Sequence, residues 1–212
     1  MRTADLIELL ARDVPVRPPG AASRKIRAAL VAGGGIALAL VVFGLHVQPL
    51  EQVASQPWFW MKASYTGLLT VAAAVTVKRL AAPGTRLKAA PLMVVLVVLA
   101  MLALGADQLV STAPVRRLDL WLGRSWRVCS PLILLLALPI YATLVIALRH
   151  LAPTRLTYTG AVAGLTAGSL AATLYGLHCP EQTAAFVATW YTLGIAAAAG
   201  LGALTGRWLL RW

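Results

Sequence analysis

The sequence predicts an all-α, polytopic membrane protein with six transmembrane helices and both the N-terminus and the C-terminus in the cytoplasm. Three observations carry this. Of 212 residues, 59% are hydrophobic and 12% are charged, about half the charged share of a soluble domain. The apolar residues are gathered into six long runs. The 19 Lys and Arg, against 7 Asp and Glu, collect at the ends of those runs, where membrane helices keep them. The net charge of +12 is therefore a membrane pattern, and direct nucleic-acid binding is not expected.

A helix needs about 20 apolar residues to cross roughly 30 Å of hydrocarbon. Lipid offers the backbone no partner, so each run must be helical. The runs cover about Ala28 to Leu45, Trp58 to Val77, Pro91 to Leu109, Pro131 to Leu148, Tyr158 to Leu177 and Thr183 to Leu204. Residues 1–26 form a cytoplasmic tail and residues 27–212 the six-helix transmembrane domain. Pro57, Pro131 and Pro180 each fall near the start of an inward-running helix, where a missing N–H costs nothing. Gly160, Gly164 and Gly168 recur every four residues, as do Ala198, Gly202 and Gly206. Such faces let two helices pack closely in lipid.

Orientation follows from the basic residues. With the N-terminus inside, fourteen Lys and Arg lie on the inner side and five (Lys62, Arg116, Arg117, Arg124, Arg127) on the outer side. The positive-inside rule favours that arrangement. The polar stretch before the first run is unlike the short basic region of a signal peptide, so it is expected to stay attached.

Transport and catalysis leave marks that are missing here. Transporters place ionisable residues near the membrane midplane, and the middle thirds of the six runs hold no Asp, Glu, Lys, Arg or His. Lys62 and Asp107 fall within spans but near the outer face. No phosphate-binding glycine loop, paired-histidine metal motif or nucleophile elbow is present. Neither an enzyme nor a cofactor is expected. A small-molecule or metal-ion transporter stands as the alternative class.

The chemistry-bearing residues gather on the outer side. Cys129 precedes Ser130-Pro131 at the mouth of span four, and Cys179 lies in His178-Cys179-Pro180-Glu181 at the mouth of span six. Helix N-termini favour thiolate, and accessible thiolates oxidise first. Three readings are open for the pair: a structural disulfide, two unrelated buried cysteines, or a reversible redox or electrophile-sensing pair, the one favoured. A metal held by His46, Cys129, His178, Cys179 and Glu181 is a weaker alternative, because their spacing fits no recognised motif.

The tail is the second candidate element. Thr3-Ala-Asp-Leu-Ile-Glu-Leu-Leu-Ala-Arg-Asp13 reads as a short amphipathic helix, with Leu6, Ile7, Leu9 and Leu10 on a broad apolar face. Pro15, Pro18, Pro19 and Gly20 end it. About ten residues make a marginal helix alone in water. Its charges are balanced (Asp5, Glu8 and Asp13 against Arg2 and Arg12), which disfavours a basic membrane-surface helix and favours docking in a partner's groove.

These residues resemble a known family. The opening from Thr3 to Asp13 followed by Pro15-Val16-Arg17, the Pro57-Trp-Phe-Trp-Met-Lys62 segment and the Leu80-Ala-Ala-Pro-Gly84 loop are similar to those of NrsF-type anti-sigma factors. So are Tyr175-Gly-Leu-His-Cys-Pro-Glu181, Phe186-Val187, Trp190-Tyr191 and the Leu209–Trp212 end. The resemblance implies an inner-membrane protein that sequesters an extracytoplasmic-function sigma factor and releases it under oxidative, reactive-chlorine or heavy-metal stress. It implies that Cys129 and Cys179, with His178 beside them, are the sensing residues. It also implies that Asp5, Leu6, Ile7, Leu9, Leu10 and Asp13, with the basic inner loops, meet the sigma factor.

Overall fold

The computed structural model describes residues 3, 8, 20–81, 90–151 and 153–211. The expected sigma-contacting residues Asp5, Leu6, Ile7, Leu9, Leu10 and Asp13 lie outside these, as do residues 82–89. Among the described residues the fold is all-helical. Helix α1 is Ala21–Ala39, continued by a π turn at Leu40–Leu45. A short α2, Leu50–Val53, leads to α3, Pro57–Leu80, which has Pro57 at its first position. Helix α4 is Ala90–Ser111, α5 is Pro114–Leu122 and α6 is Trp126–Arg149. Helix α7 is Leu156–Tyr175. The last helix, α8, runs Ala184–Leu209 and contains a π turn at Val187–Tyr191.

Helix α7 is the axis of the bundle. Twelve of its twenty residues are buried, with α3, α6 and α8 packed around it. Its glycines do the work expected of them. A Cβ at Gly160 would run into the Gly202 carbonyl, and one at Gly168 would lie 2.8 Å from the Ala198 Cβ. Only hydrogen fits at these crossings, so the two backbones come as close as the small-residue pattern predicts. Helix α1 packs on α6, and α4 on α3. Large apolar side chains such as Val31, Phe43, Leu96, Leu99 and Ile146 point outward, where hydrocarbon suits them.

Among the described residues, four stretches are long and apolar enough to cross a membrane: Ala21–Leu45, Pro91–Ser111, Pro114–Arg149 and Ala184–Leu209. The expected count was six. The two that fall short, α3 and α7, have 24 and 20 residues, so length is not the reason. Both are polar-speckled, α7 as the buried axis of the bundle and α3 packed against it. Helix α3 carries Lys62, Thr66, Thr70 and Thr76, and α7 carries Thr159, Thr166, Ser169 and Thr173. Most of these hydroxyls donate back to the carbonyl four residues earlier: Thr66 to Lys62, Thr70 to Thr66, Thr76 to Ala72, Thr166 to Val162, Ser169 to Leu165 and Thr173 to Ser169, all at 2.8–2.9 Å. A hydroxyl satisfied within its own helix lowers hydropathy without needing water.

Two local expectations also change. Pro131 is not at a helix start but inside α6, which already begins at Trp126. Pro180 lies in the α7–α8 connection, ahead of the α8 N-cap Thr183.

Candidate functional site

The connection between α7 and α8 folds back over the end of the bundle and carries the chemistry. Tyr175 closes α7, and its carbonyl accepts the N–H groups of His178 and Cys179 at 2.9 and 3.0 Å. Cys179 therefore caps the C-terminal end of α7 rather than the N-terminal end of α8. The α8 macrodipole is not what polarises this thiol, contrary to the sequence-based expectation. Cys129 does sit in the first turn of α6, its N–H bonded to the Ser125 carbonyl at 2.9 Å.

The fold brings the two sulfurs together. Cys129 and Cys179 are free thiols, both fully buried, and they share a thiol–thiol hydrogen bond in which Cys129 donates. The Tyr175 hydroxyl reaches Cys129. The Tyr191 hydroxyl, buried without a hydrogen-bond partner, has Cys179 as a polar neighbour. The Tyr175 and Tyr191 rings lie 5.8 Å apart. Lys62, on α3, completes the shell. It is 2% exposed, and its ammonium donates to the Cys179 and Glu181 carbonyls at 2.9 Å each, with the Trp58 ring 4.5 Å away. The Cys129 hydrogen bond, then the Tyr191 hydroxyl and the Lys62 ammonium, outweigh burial and pull the Cys179 thiol down to about 6. The pair is thus set up as a thiol beside a thiolate. The expectation of solvent-accessible thiols does not hold; the activation of Cys179 comes from buried neighbours.

The remaining residues expected on the outer side hold the frame. His178 Nδ1 donates to the His46 carbonyl at 2.9 Å, and Gln48 ties the same turn through the Leu177 and His178 carbonyls. Glu181 Oε1 accepts from the Arg124 and Ser125 N–H groups and the Ser125 hydroxyl at 2.7–3.0 Å. Trp121, Trp126 and Trp190 stack beside it. The metal set His46, Cys129, His178, Cys179 and Glu181 is not assembled: among the described residues no three His, Cys, Asp or Glu are placed to hold an ion. His178 Nδ1 is instead bonded to the His46 carbonyl, and Glu181 Oε1 to the Arg124–Ser125 turn. Lys62, Tyr175 and Tyr191 were not singled out as site residues from sequence. The first left one trace, a lone Lys inside an apolar run.

Comparison with known proteins now adds the family. The family model NrsF, described as negative regulator of sigma F, matches residues 10–212. The chain belongs to the NrsF family. The family resemblance read from Thr3 to Trp212 is therefore correct. The anti-sigma-F factor NrsF of Caulobacter vibrioides (strain NA1000 / CB15N) is 46% identical over 216 residues, covering 100% of both chains. The probable anti-sigma-F factor NrsF of Azospira oryzae is 37% identical, again over 100% of both. No solved structure matches this NrsF-family chain.

Proposed function

We propose that this protein is an anti-sigma factor of the inner membrane that holds an extracytoplasmic-function sigma factor inactive and releases it when the Cys129–Cys179 pair is oxidised or modified. The observation that carries the first half is the end-to-end similarity to a protein named as an anti-sigma-F factor. The thiol pair supports the second half: two buried, hydrogen-bonded sulfurs, one of them activated, form a two-electron switch. Oxidation by a peroxide from outside balances in two steps. Cys179 thiolate attacks one peroxide oxygen and expels hydroxide, giving a sulfenic acid. The Cys129 sulfur then attacks that sulfenic sulfur, and its proton leaves with the hydroxyl as water. Thiophilic metals act on the same sulfurs.

In this reading α3 and α7 cross the membrane with the four more apolar stretches, giving six spans with both termini inside. The tail, through Asp5, Leu6, Ile7, Leu9, Leu10 and Asp13, and the basic inner loops hold the sigma factor. A change at the thiols matters only if it favours the state with lower sigma affinity.

The test is a pull-down of the intact protein from its native membrane, with and without residues 1–20. Co-purification of a sigma factor with the intact chain alone supports both class and binding element, and the truncated form should leave the sigma factor's promoters constitutively on. Absence of any sigma factor from both preparations overturns the reading.

A further inference from the structure

The redox scheme above uses the two sulfurs and leaves Lys62 unexplained. A buried ammonium is costly unless its protons and its charge are both answered. Its protons are answered by the Cys179 and Glu181 carbonyls and by the Trp58 ring face. The Glu181 carboxylate answers its charge least among its charged neighbours, for its Oε1 is taken up at the Arg124–Ser125 turn and it is the Glu181 carbonyl that bonds Lys62. The groups that answer the charge most are the thiols, Cys179 first and then Cys129, ahead of Glu181.

We propose that Lys62 is a positioning residue for the thiol pair: its ammonium ties down the Cys179–Pro180–Glu181 turn and supplies the positive charge that one thiolate of the pair answers. The proposal rests on the thiol-switch reading and deepens it. Each element packed on the pair contributes one group: Lys62 from α3, Cys129 from α6, Tyr175 from α7 and Tyr191 from α8, with His178 and Glu181 on the turn itself. Only Lys62 brings a permanent positive charge. His178 is held away by the His46 carbonyl, and the two phenols bring hydroxyls without charge. A cavity of about 70 Å³ lies on the α3–α7 side, lined by Phe59, Lys62, Thr66, Thr173 and Gly176 among others. It has room for water or a small peroxide.

The test uses the intact protein in detergent with hydrogen peroxide as oxidant. Disulfide formation is followed by the mass of alkylated protein, from about pH 5 to pH 9, the span in which thiols titrate. Lys62→Arg keeps the charge; Lys62→Gln keeps N–H donors for the carbonyls without it. The unsubstituted protein should react fastest from the mildly acidic side upward, and Lys62→Arg should follow it. Lys62→Gln should shift the profile alkaline by about one pH unit or more, losing roughly tenfold in rate at neutral pH and recovering at high pH. A packing role alone would lower the rate equally at every pH. A Lys62→Gln profile that overlays the unsubstituted one overturns the proposal. If both variants lose their helicity, the unsubstituted profile decides alone: an inflection at the ordinary thiol value of 9.0 also overturns it. If peroxide forms no disulfide even in the unsubstituted protein, the switch reading fails. The ultraviolet absorbance of thiolate in reduced unsubstituted and Lys62→Gln protein then still shows whether Lys62 holds a thiolate.

Discussion

Glu181 occupies the space that a side chain at position 123 would need: a Cβ on Gly123 would lie 2.5 Å from Glu181 Oε2. The same residue's Oε1 receives the N–H groups of Arg124 and Ser125. Gly123 has a φ of 58°, which an L side chain adopts at a penalty. One carboxylate thus locks the α5–α6 turn to the segment that carries Cys179, and α6 carries Cys129 four residues beyond Ser125.

Glu181→Ala removes the acceptor and leaves two backbone N–H groups short of a partner, a loss of about 1–3 kcal/mol. Glu181→Gln keeps an acceptor oxygen and should lose less. Gly123→Ala adds both a strained φ and a collision and should unfold earlier than the unsubstituted chain. Thermal unfolding in detergent ranks them, and an unchanged midpoint for Glu181→Ala would remove this clamp from the account.

Gly164→Ala tests the helix crossing at the bundle axis. Its Cβ would meet Ala198 C at 2.9 Å and Ala199 Cα at 3.0 Å, which are backbone atoms that cannot step aside. The expected loss is about 1–3 kcal/mol, whereas Gly200→Ala, with open space around it, should be silent. Equal midpoints for the two variants would contradict the packing described.

Stability should depend on pH through Cys179. Its value in the fold, about 6, lies below its ordinary 9.0, so ionisation favours the folded state. That contribution is complete above pH 9 and is lost as the pH falls through 6. The stability advantage of the unsubstituted protein over Cys179→Ser should therefore shrink steadily as pH is lowered across this window. An advantage that stays constant or grows on acidification would place the thiolate elsewhere.

Cys129→Ser and Cys179→Ser should each leave the sigma factor repressed in unstressed cells yet blunt its release by oxidants. Reporter transcription from a sigma-dependent promoter measures both halves at once. Full induction in both variants would end the sensing role of the pair.

Much of this was legible in the sequence. Apolar runs and the four-residue recurrence of Gly160, Gly164 and Gly168 dictated an all-helical bundle and one of its tightest crossings. The pairing of Cys129 with Cys179 was also within reach, because both stand at the same end of the spans. Three things were not. Lys62 looked like a residue that would extend to the interface, as long cations near helix ends do, yet the folded-back 179–181 carbonyls meet it first. Cys179 was assigned to the following helix because Pro180 resembles a helix start; the N-cap is Thr183, whose hydroxyl accepts the Phe186 N–H at 3.3 Å. And Tyr191 owes its place beside the sulfurs to a π turn that has no local sequence signature.

That π turn gives α8 two independent phases. Holding an extra residue in one wide turn, it separates the register of Ala184–Phe186 from that of the Ala198, Gly202 and Gly206 face. Its loosened backbone leaves the Trp190 carbonyl free to accept the Ser130 hydroxyl at 2.7 Å, next door to Cys129. Winding the same residues as plain α-helix would turn everything downstream by about 100° and carry the glycine face off α7. Dropping one residue from 187–190 would instead leave both ends in phase while erasing the bulge that seats Tyr191. The rod that seals the bundle and the rod that dresses the thiols are one helix, its two parts set in different registers by a single wide turn.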